Sequence, residues 1–174
     1  MIVKRLHHLA MRCTDARETV EFYTNVLGMV FAAAAGGDRV PSTGEFSPHL
    51  NLFIRMDDGS MLDFVDLPLA GAAQPDPNTP AWVHHVALEV ASMAELIEIK
   101  ARVEAHGIAV RGPADHQFCQ SIYFFDPSGN RLEITWANDR KLLASLEIEA
   151  AEALARWEEQ KARGWDVAAE TRRA

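Results

Sequence analysis

The sequence predicts an α+β fold, two βαβββ modules paired into a curved mixed sheet around a cleft, with a long C-terminal helix outside the repeat. Three observations predict it: a repeated hexapeptide, a helix-start signal after each copy, and a glycine-turned hairpin later in each half. Leu6-His7-His8-Leu9-Ala10-Met11 matches Val83-His84-His85-Val86-Ala87-Leu88 position for position, His8 corresponding to His85. Asp15-Ala16-Arg17-Glu18 opens a helix in the first half, the capping box Ser92-Met93-Ala94-Glu95 opens one in the second, and both stop at glycine, Gly28 and Gly107. The stretch Asp57 to Phe64 aligns with Pro127 to Ile134 if Gly59 and Gly129 close equivalent turns.

The elements follow from hydrophobic period and turn chemistry. The first half gives strands near Leu6–Arg12, Met29–Ala35, Leu50–Arg55 and Ser60–Asp66, with a helix near Asp15–Val26. The second gives strands near Val83–Val90, Ile108–Arg111, Ser121–Phe125 and Asn130–Trp136, with a helix near Met93–Ala105. Residues 1–68 and 81–136 are thus two modules of one domain, and 69–80, with Pro75, Pro77 and Pro80, is linker. Residues 137–174 form a helix and tail: Asn138-Asp139 caps a run ending before Gly164, and Leu143, Leu146, Ala150, Leu154 and Trp157 make one apolar stripe for the sheet or a second subunit. The end from Trp165 to Ala174 is expected to fray.

Composition narrows the partners. The chain has 174 residues, 48% of them hydrophobic and 24% charged, which fits one globular domain and excludes a collagenous or wholly disordered chain. The net charge is −8 and no basic stripe is visible, so nucleic acid is not an expected partner. No apolar run approaches the ~18–20 residues that span a bilayer, so no membrane association is expected. Two isolated cysteines, Cys13 and Cys119, make no disulfide framework, zinc cage or redox pair, and a cytoplasmic protein is expected.

Strand parity sorts side chains between core and cleft. Val86, Leu88 and Val90 share one face and His85, Ala87 and Glu89 the other; Leu132, Ile134 and Trp136 oppose Arg131, Glu133 and Thr135; His8 lies with Ala10 and Arg12. His8, His85 and Glu133 therefore fall on one class of surface. Two neutral imidazoles and a carboxylate with open positions make the facial triad that suits Fe(II), and similar sets hold Mn, Ni or Zn. They converge only if an internal pseudo-twofold brings the two sheets face to face.

Paired βαβββ modules opened by His8 and His85, with Glu133 on the last strand, resemble the vicinal oxygen chelate superfamily of glyoxalase I, extradiol dioxygenases, epimerases and bleomycin-resistance proteins. The resemblance covers residues 1–136. A second motif, His116, Ile122-Tyr123, Asp126-Pro127-Ser128-Gly129 and Glu133, resembles the ring-cleavage pattern of type I extradiol dioxygenases, with Ala114 a departure two residues before the histidine. The large members carry a second pair of modules, which this chain is too short to contain. The turn Asp126–Gly129 sets the register of the strand bearing Glu133, and parity turns Tyr123 toward the cleft while Phe124 packs.

The resemblance implies an oxidoreductase of aromatic-compound catabolism: an extradiol-type dioxygenase cleaving a catechol or related small aromatic diol with O2. It would use Fe(II) first and Mn, Ni or Zn as alternatives, and work as a homodimer. His8, His85 and Glu133 would hold the metal, His116 would supply a hydrogen bond or proton near the substrate oxygens, and Tyr123 would orient bound oxygen. Two alternatives stay open: a glyoxalase- or epimerase-like enzyme in which Asp63, the repeat mate of Glu133, is a fourth ligand, and a non-catalytic protein holding a flat ligand. His49 is a lesser cleft candidate, His7 and His84 are assigned to packing, and His106 to the end of its helix.

Overall fold

Alternation along each strand leaves one apolar face, and two such faces need helices to cover them. The computed structural model describes residue 2, residues 5–70 and residues 78–164. Its elements are β1 (His8–Cys13), α1 (Ala16–Glu21) continued by a π-helical turn (Phe22–Val26), β2 (Val30–Arg39), β3 (Phe46–Arg55), β4 (Met61–Asp66), β5 (Val86–Glu89), α2 (Met93–Ala105), β6 (Arg111–Asp115), β7 (Cys119–Phe125), β8 (Arg131–Ala137) and α3 (Arg140–Arg163). The strands form two four-stranded sheets of identical topology, β1-β4-β3-β2 and β5-β8-β7-β6. In each, the first strand pairs parallel with the last and the other pairs are antiparallel.

The repeat extends to atomic detail. The Asp15 side chain accepts from the Glu18 N–H at 2.8 Å, and the Ser92 hydroxyl accepts from the Glu95 N–H at 3.2 Å. Each satisfies a donor that a helix start leaves unpaired. Both hairpins close the same way: Gly59 N–H donates to Met56 and Gly129 N–H to Asp126.

Strand bounds differ from expectation: β5 covers Val86–Glu89 and not Val83–Val90, leaving His85 just before it, β3 begins at Phe46 and not Leu50, and two edge strands differ for a common reason. β2 runs on to Arg39 through Gly36 and Gly37, and β6 lies at Arg111–Asp115 rather than Ile108–Arg111, spanning Pro113. Glycine and proline break a central strand but are tolerated at an edge, where one row of backbone groups faces away from the ladder. A Cβ at Gly36 would stand 2.5 Å from the His49 carbonyl oxygen, so glycine is what allows β2 to approach β3 there. β6 carries its irregularity between Arg111 and Ala114, around Gly112, whose φ is +103°.

One core serves both modules. Phe22, Val26, Leu52, Ile54, Leu62 and Phe64 pack in the same buried cluster as Leu96, Val103, Ile122, Phe124, Leu132 and Ile134. At the junction the Tyr23 hydroxyl donates to Asp126 Oδ2 at 2.9 Å. Asp126 also accepts from the backbone N–H groups of Ser128 and Asn130 and from the Asn130 amide. Asn130 donates onward to the Arg12 carbonyl, and Ser128 Oγ accepts from the Thr14 N–H. The Asp126–Asn130 turn thus closes its own hairpin and ties β8 to the end of β1.

Asp139 caps α3 by accepting from Lys141 and Leu142, and Arg140 reaches back to Glu89 at 2.6 Å. Beyond that, Leu146, Leu154 and Trp157 of the stripe stay exposed, so the sheet does not cover it. The Leu143 side chain, residues 71–77 of the linker and the tail from Trp165 lie outside the described residues. Among the described residues no helix is long and apolar enough to cross a membrane.

The buried Tyr23–Asp126 bond yields a stability prediction. Burial first, then the Asp126 charge, raises the Tyr23 phenol well above its ordinary value of 10.0. Tyr23→Phe removes a hydrogen bond to a charged acceptor and should cost about 1.5–3 kcal/mol, read as a lower urea midpoint. Because the folded state holds this proton more tightly, its contribution is intact below pH 10 and is lost as pH rises through the raised value. An unchanged midpoint would mean that the bond does not join the modules.

Candidate metal centre

β8 places Glu133 between β5 and β7, opposite Ala87 on one side and Tyr123 on the other. Its carboxylate is buried, at 8% exposure, on the face that parity assigned to the cleft. His85 immediately precedes β5, and its Nε2 lies 3.0 Å from Glu133 Oε2. Its Nδ1 lies 3.0 Å from the Val83 carbonyl oxygen. A carbonyl only accepts, so Nδ1 carries the proton and Nε2 is left to face a carboxylate.

That arrangement calls for a cation. A divalent ion held between the two groups would supply it. Two donors each about 2.1 Å from one ion at right angles are about 3.0 Å apart, so the pair fits adjacent ligand positions.

Beside the pair stands a second one. Tyr123, in register with Glu133, has its hydroxyl 2.7 Å from His116 Nε2. His116 arrives on the tight β6–β7 turn, where its N–H donates to the Cys119 carbonyl and Gln117 adopts φ +71°. Left-handed backbone at a non-glycine residue costs of order 1 kcal/mol, here partly offset by the Gln117 N–H bond to Asp115 at 2.7 Å. Desolvation, then the Glu133 charge, raises the Tyr123 phenol, so it is a neutral donor near neutral pH.

His8 stands apart from this group. It lies on the first sheet, edge-on to Phe53 with ring centroids 6.2 Å apart, its Nδ1 2.7 Å from His7 Nδ1. Among the described residues no three histidine, cysteine, aspartate or glutamate side chains gather in one ligating cluster. Two of the three expected ligands therefore meet within one chain. Asp63 occupies the position equivalent to Glu133 and is buried, and both its oxygens accept from the Asn51 amide, at 3.0 and 2.8 Å.

The other histidines take local roles. His49 Nδ1 bonds to the Ser47 carbonyl at 2.7 Å, and His106 is the C-cap of α2. His7 and His84 are exposed rather than packed, because each lies outside the paired length of its strand. A cleft of about 970 Å³ opens elsewhere, between Met29, Met56, Leu88 and Ile134, and is lined by none of His8, His85, His116, Tyr123 or Glu133.

Sequence reasoning missed two residues. Arg131 holds its guanidinium 4.4 Å from the Tyr123 ring centroid and donates to the Trp82 carbonyl at 2.8 Å. Parity put Arg131 on the cleft face, a signal left unused. Asn51, on the face opposite Leu52, carried no motif.

The family model described as Glyoxalase/Bleomycin resistance protein/Dioxygenase superfamily matches residues 5–134. Among solved structures, the chain is similar to a glyoxylase/bleomycin resistance protein/dioxygenase domain from Frankia (17% identity, 78% of this chain and 99% of that one, TM-score 0.64). It is also similar to trypanothione-dependent glyoxalase I of Leishmania major (18%, 88% and 99%, TM-score 0.61). A third is the fosfomycin resistance protein FosX of Listeria monocytogenes, in complex with Mn(II) and sulfate (20%, 82% and 99%, TM-score 0.57). No curated protein matches the chain.

The chain has two tyrosines, so phenol titration resolves them. Tyr123, raised less than Tyr23, ionises first. Glu133→Gln removes a negative charge that opposes this ionisation, so the first step should move to lower pH in the ultraviolet titration of the metal-free protein. A first step that stays in place would separate Glu133 from Tyr123 electrostatically.

Proposed function

Because the chain belongs to the Glyoxalase/Bleomycin resistance protein/Dioxygenase superfamily, we propose that it is a metal-dependent, extradiol-type dioxygenase that opens a catechol or related small aromatic diol with O2. The observation that carries this reading is the His116–Tyr123 pair, hydrogen-bonded at 2.7 Å beside the His85–Glu133 pair. The pair sets neutral hydrogen-bonding groups beside the candidate ligands, as an oxygen-rich substrate requires, while Asp63, the carboxylate that a four-ligand site would use, is engaged by Asn51.

His85 and Glu133 are two metal ligands, and His8 is the third. Since His8 sits on the other sheet, the third position is filled across a homodimer by the partner subunit's His8. Uncovered apolar side chains on the first sheet, Val30, Phe31, Phe46 and Leu50, support a second copy covering this region. The bound ion, Fe(II) in this reading with Mn, Ni or Zn as alternatives, supplies the Lewis acidity and vacant positions that a diol and O2 require.

The protein groups do the rest. Val83 fixes the His85 tautomer, leaving Nε2 as a lone-pair donor. Once His116 carries its proton on Nε2, the Tyr123 oxygen accepts from it, and the Tyr123 hydrogen is left to donate toward the oxygens brought to the site. His116 accepts a proton from a diol hydroxyl and returns it to a product oxygen, a role suited to an imidazole whose ordinary pKa is near 6.5. Asp63, occupied by Asn51 in its own sheet, is not a ligand here.

Metal analysis and an oxygen electrode test this together. His85→Ala and Glu133→Ala should lose most bound iron, whereas Asp63→Ala should keep it; loss in Asp63→Ala with no O2 uptake by wild type would favour the four-ligand, glyoxalase-like site. His116→Gln should retain iron and slow catechol cleavage by about 10²–10⁴-fold, followed by semialdehyde absorbance. Wild-type turnover in that variant removes His116 from catalysis, and no O2 uptake with any catechol by iron-loaded wild type overturns the dioxygenase reading.

A further inference from the structure

Arg131 lies two residues before Glu133 on β8, so both point to the same face of the sheet. Tyr123 pairs with Glu133, which makes Arg131 and Tyr123 diagonal cross-strand neighbours, within reach of a long side chain. The guanidinium sits 4.4 Å from the Tyr123 ring centroid, a cation–π contact. The same guanidinium donates through Nη1 to the Trp82 carbonyl at 2.8 Å.

Trp82 begins the three residues that lead into His85. This segment is short and largely exposed, and it lies outside β5, so the sheet ladder does not hold it. Its bonds are few: Val83 N–H to the Pro80 carbonyl, the Val83 carbonyl to His85 Nδ1, and the Trp82 carbonyl to Arg131. The second of these sets the His85 tautomer, and the third reaches from β8 to the start of the segment, beside the contact that His85 itself makes with Glu133 at its end. A lysine could place charge near the ring, but a planar guanidinium can stack on it and donate sideways at once.

We propose that Arg131 is a positioning residue: stacked on Tyr123 and bonded to the Trp82 carbonyl, it clamps the Trp82–His85 segment so that His85 presents Nε2 to Glu133. The proposal rests on the metal-site reading above. Residues that orient a ligating histidine affect affinity by about 10- to 100-fold when removed, although they never touch the ion.

The test is Mn(II) titration of the whole chain, read as Kd, together with 15N NMR of the His85 ring in the metal-free protein. Arg131→Gln should weaken Mn(II) binding by about 10- to 100-fold while saturating at wild-type stoichiometry. Its His85 ring should pass from one Nδ1-protonated tautomer to a mixture, with the urea midpoint close to wild type because Arg131 is only half-buried. Arg131→Lys should recover part of the affinity. Trp82→Ala, which keeps the backbone carbonyl, should bind Mn(II) as wild type does.

Wild-type affinity and a single tautomer in Arg131→Gln would overturn the proposal, as would a Trp82→Ala defect equal to that of Arg131→Gln. If wild type itself binds no Mn(II), the metal-site reading fails, and the His85 tautomer still decides whether Arg131 positions the ring.

Discussion

The Asp126 carboxylate is the point on which the two modules and the site depend. It is buried at the head of a tight turn and accepts from two backbone N–H groups, the Asn130 amide and the Tyr23 hydroxyl of the other module. A buried carboxylate without such donors would cost several kcal/mol, so the turn has one stable arrangement. That arrangement fixes the register of β7 against β8, hence Tyr123 opposite Glu133. Through Asn130 and Ser128 it also fixes where β8 lies against the end of β1. A one-residue slip would turn Glu133 into the core and Leu132 into the cleft.

With register set, the chemistry follows from what each face lacks. The core face is closed by aliphatic and aromatic side chains from both modules. The opposite face carries a buried carboxylate, an imidazole whose other nitrogen is already committed to a carbonyl, and a tyrosine–histidine pair. Such a surface is costly for a protein that only folds, because it places charge in partial burial. Its counterpart on the first sheet is quieter: Asp63 is hydrogen-bonded in place by the Asn51 amide, and His8 lies edge-on to Phe53. The two sheets share topology while their cleft faces have diverged: the second brings an imidazole within 3.0 Å of a buried carboxylate, whereas the first holds its buried carboxylate against an amide.

Much of this was legible in the sequence because repetition amplifies weak signals. One histidine near a strand says little, whereas His8 and His85 at equivalent positions mark where both modules begin, His8 opening β1 and His85 standing just before β5. Glu133 was legible through strand parity, and Tyr123 and His116 through the resemblance of the spacing around Asp126–Gly129 to a ring-cleavage motif, whose tight turn leaves one way to align its flanking strands. What stayed hidden depends on tertiary geometry. That β2 and β6 are edge strands, and so tolerate Gly36, Gly37 and Pro113, is a property of the sheet order. The separation of His8 from the pair depends on how modules pack, which strand parity does not encode. Arg131 escaped notice because its partner is a backbone carbonyl in a segment without a motif.

The central claim is a metal site with His85 and Glu133 from one chain and the partner subunit's His8. Subunit mixing tests it directly. His8→Ala and Glu133→Ala proteins, each defective alone, are unfolded together, refolded and assayed for bound iron. If the site spans two subunits, each mixed dimer regains one complete site, and iron rises above the level of either parent. If all three ligands come from a single chain, no mixed species contains an intact set, and bound iron stays at the parental level.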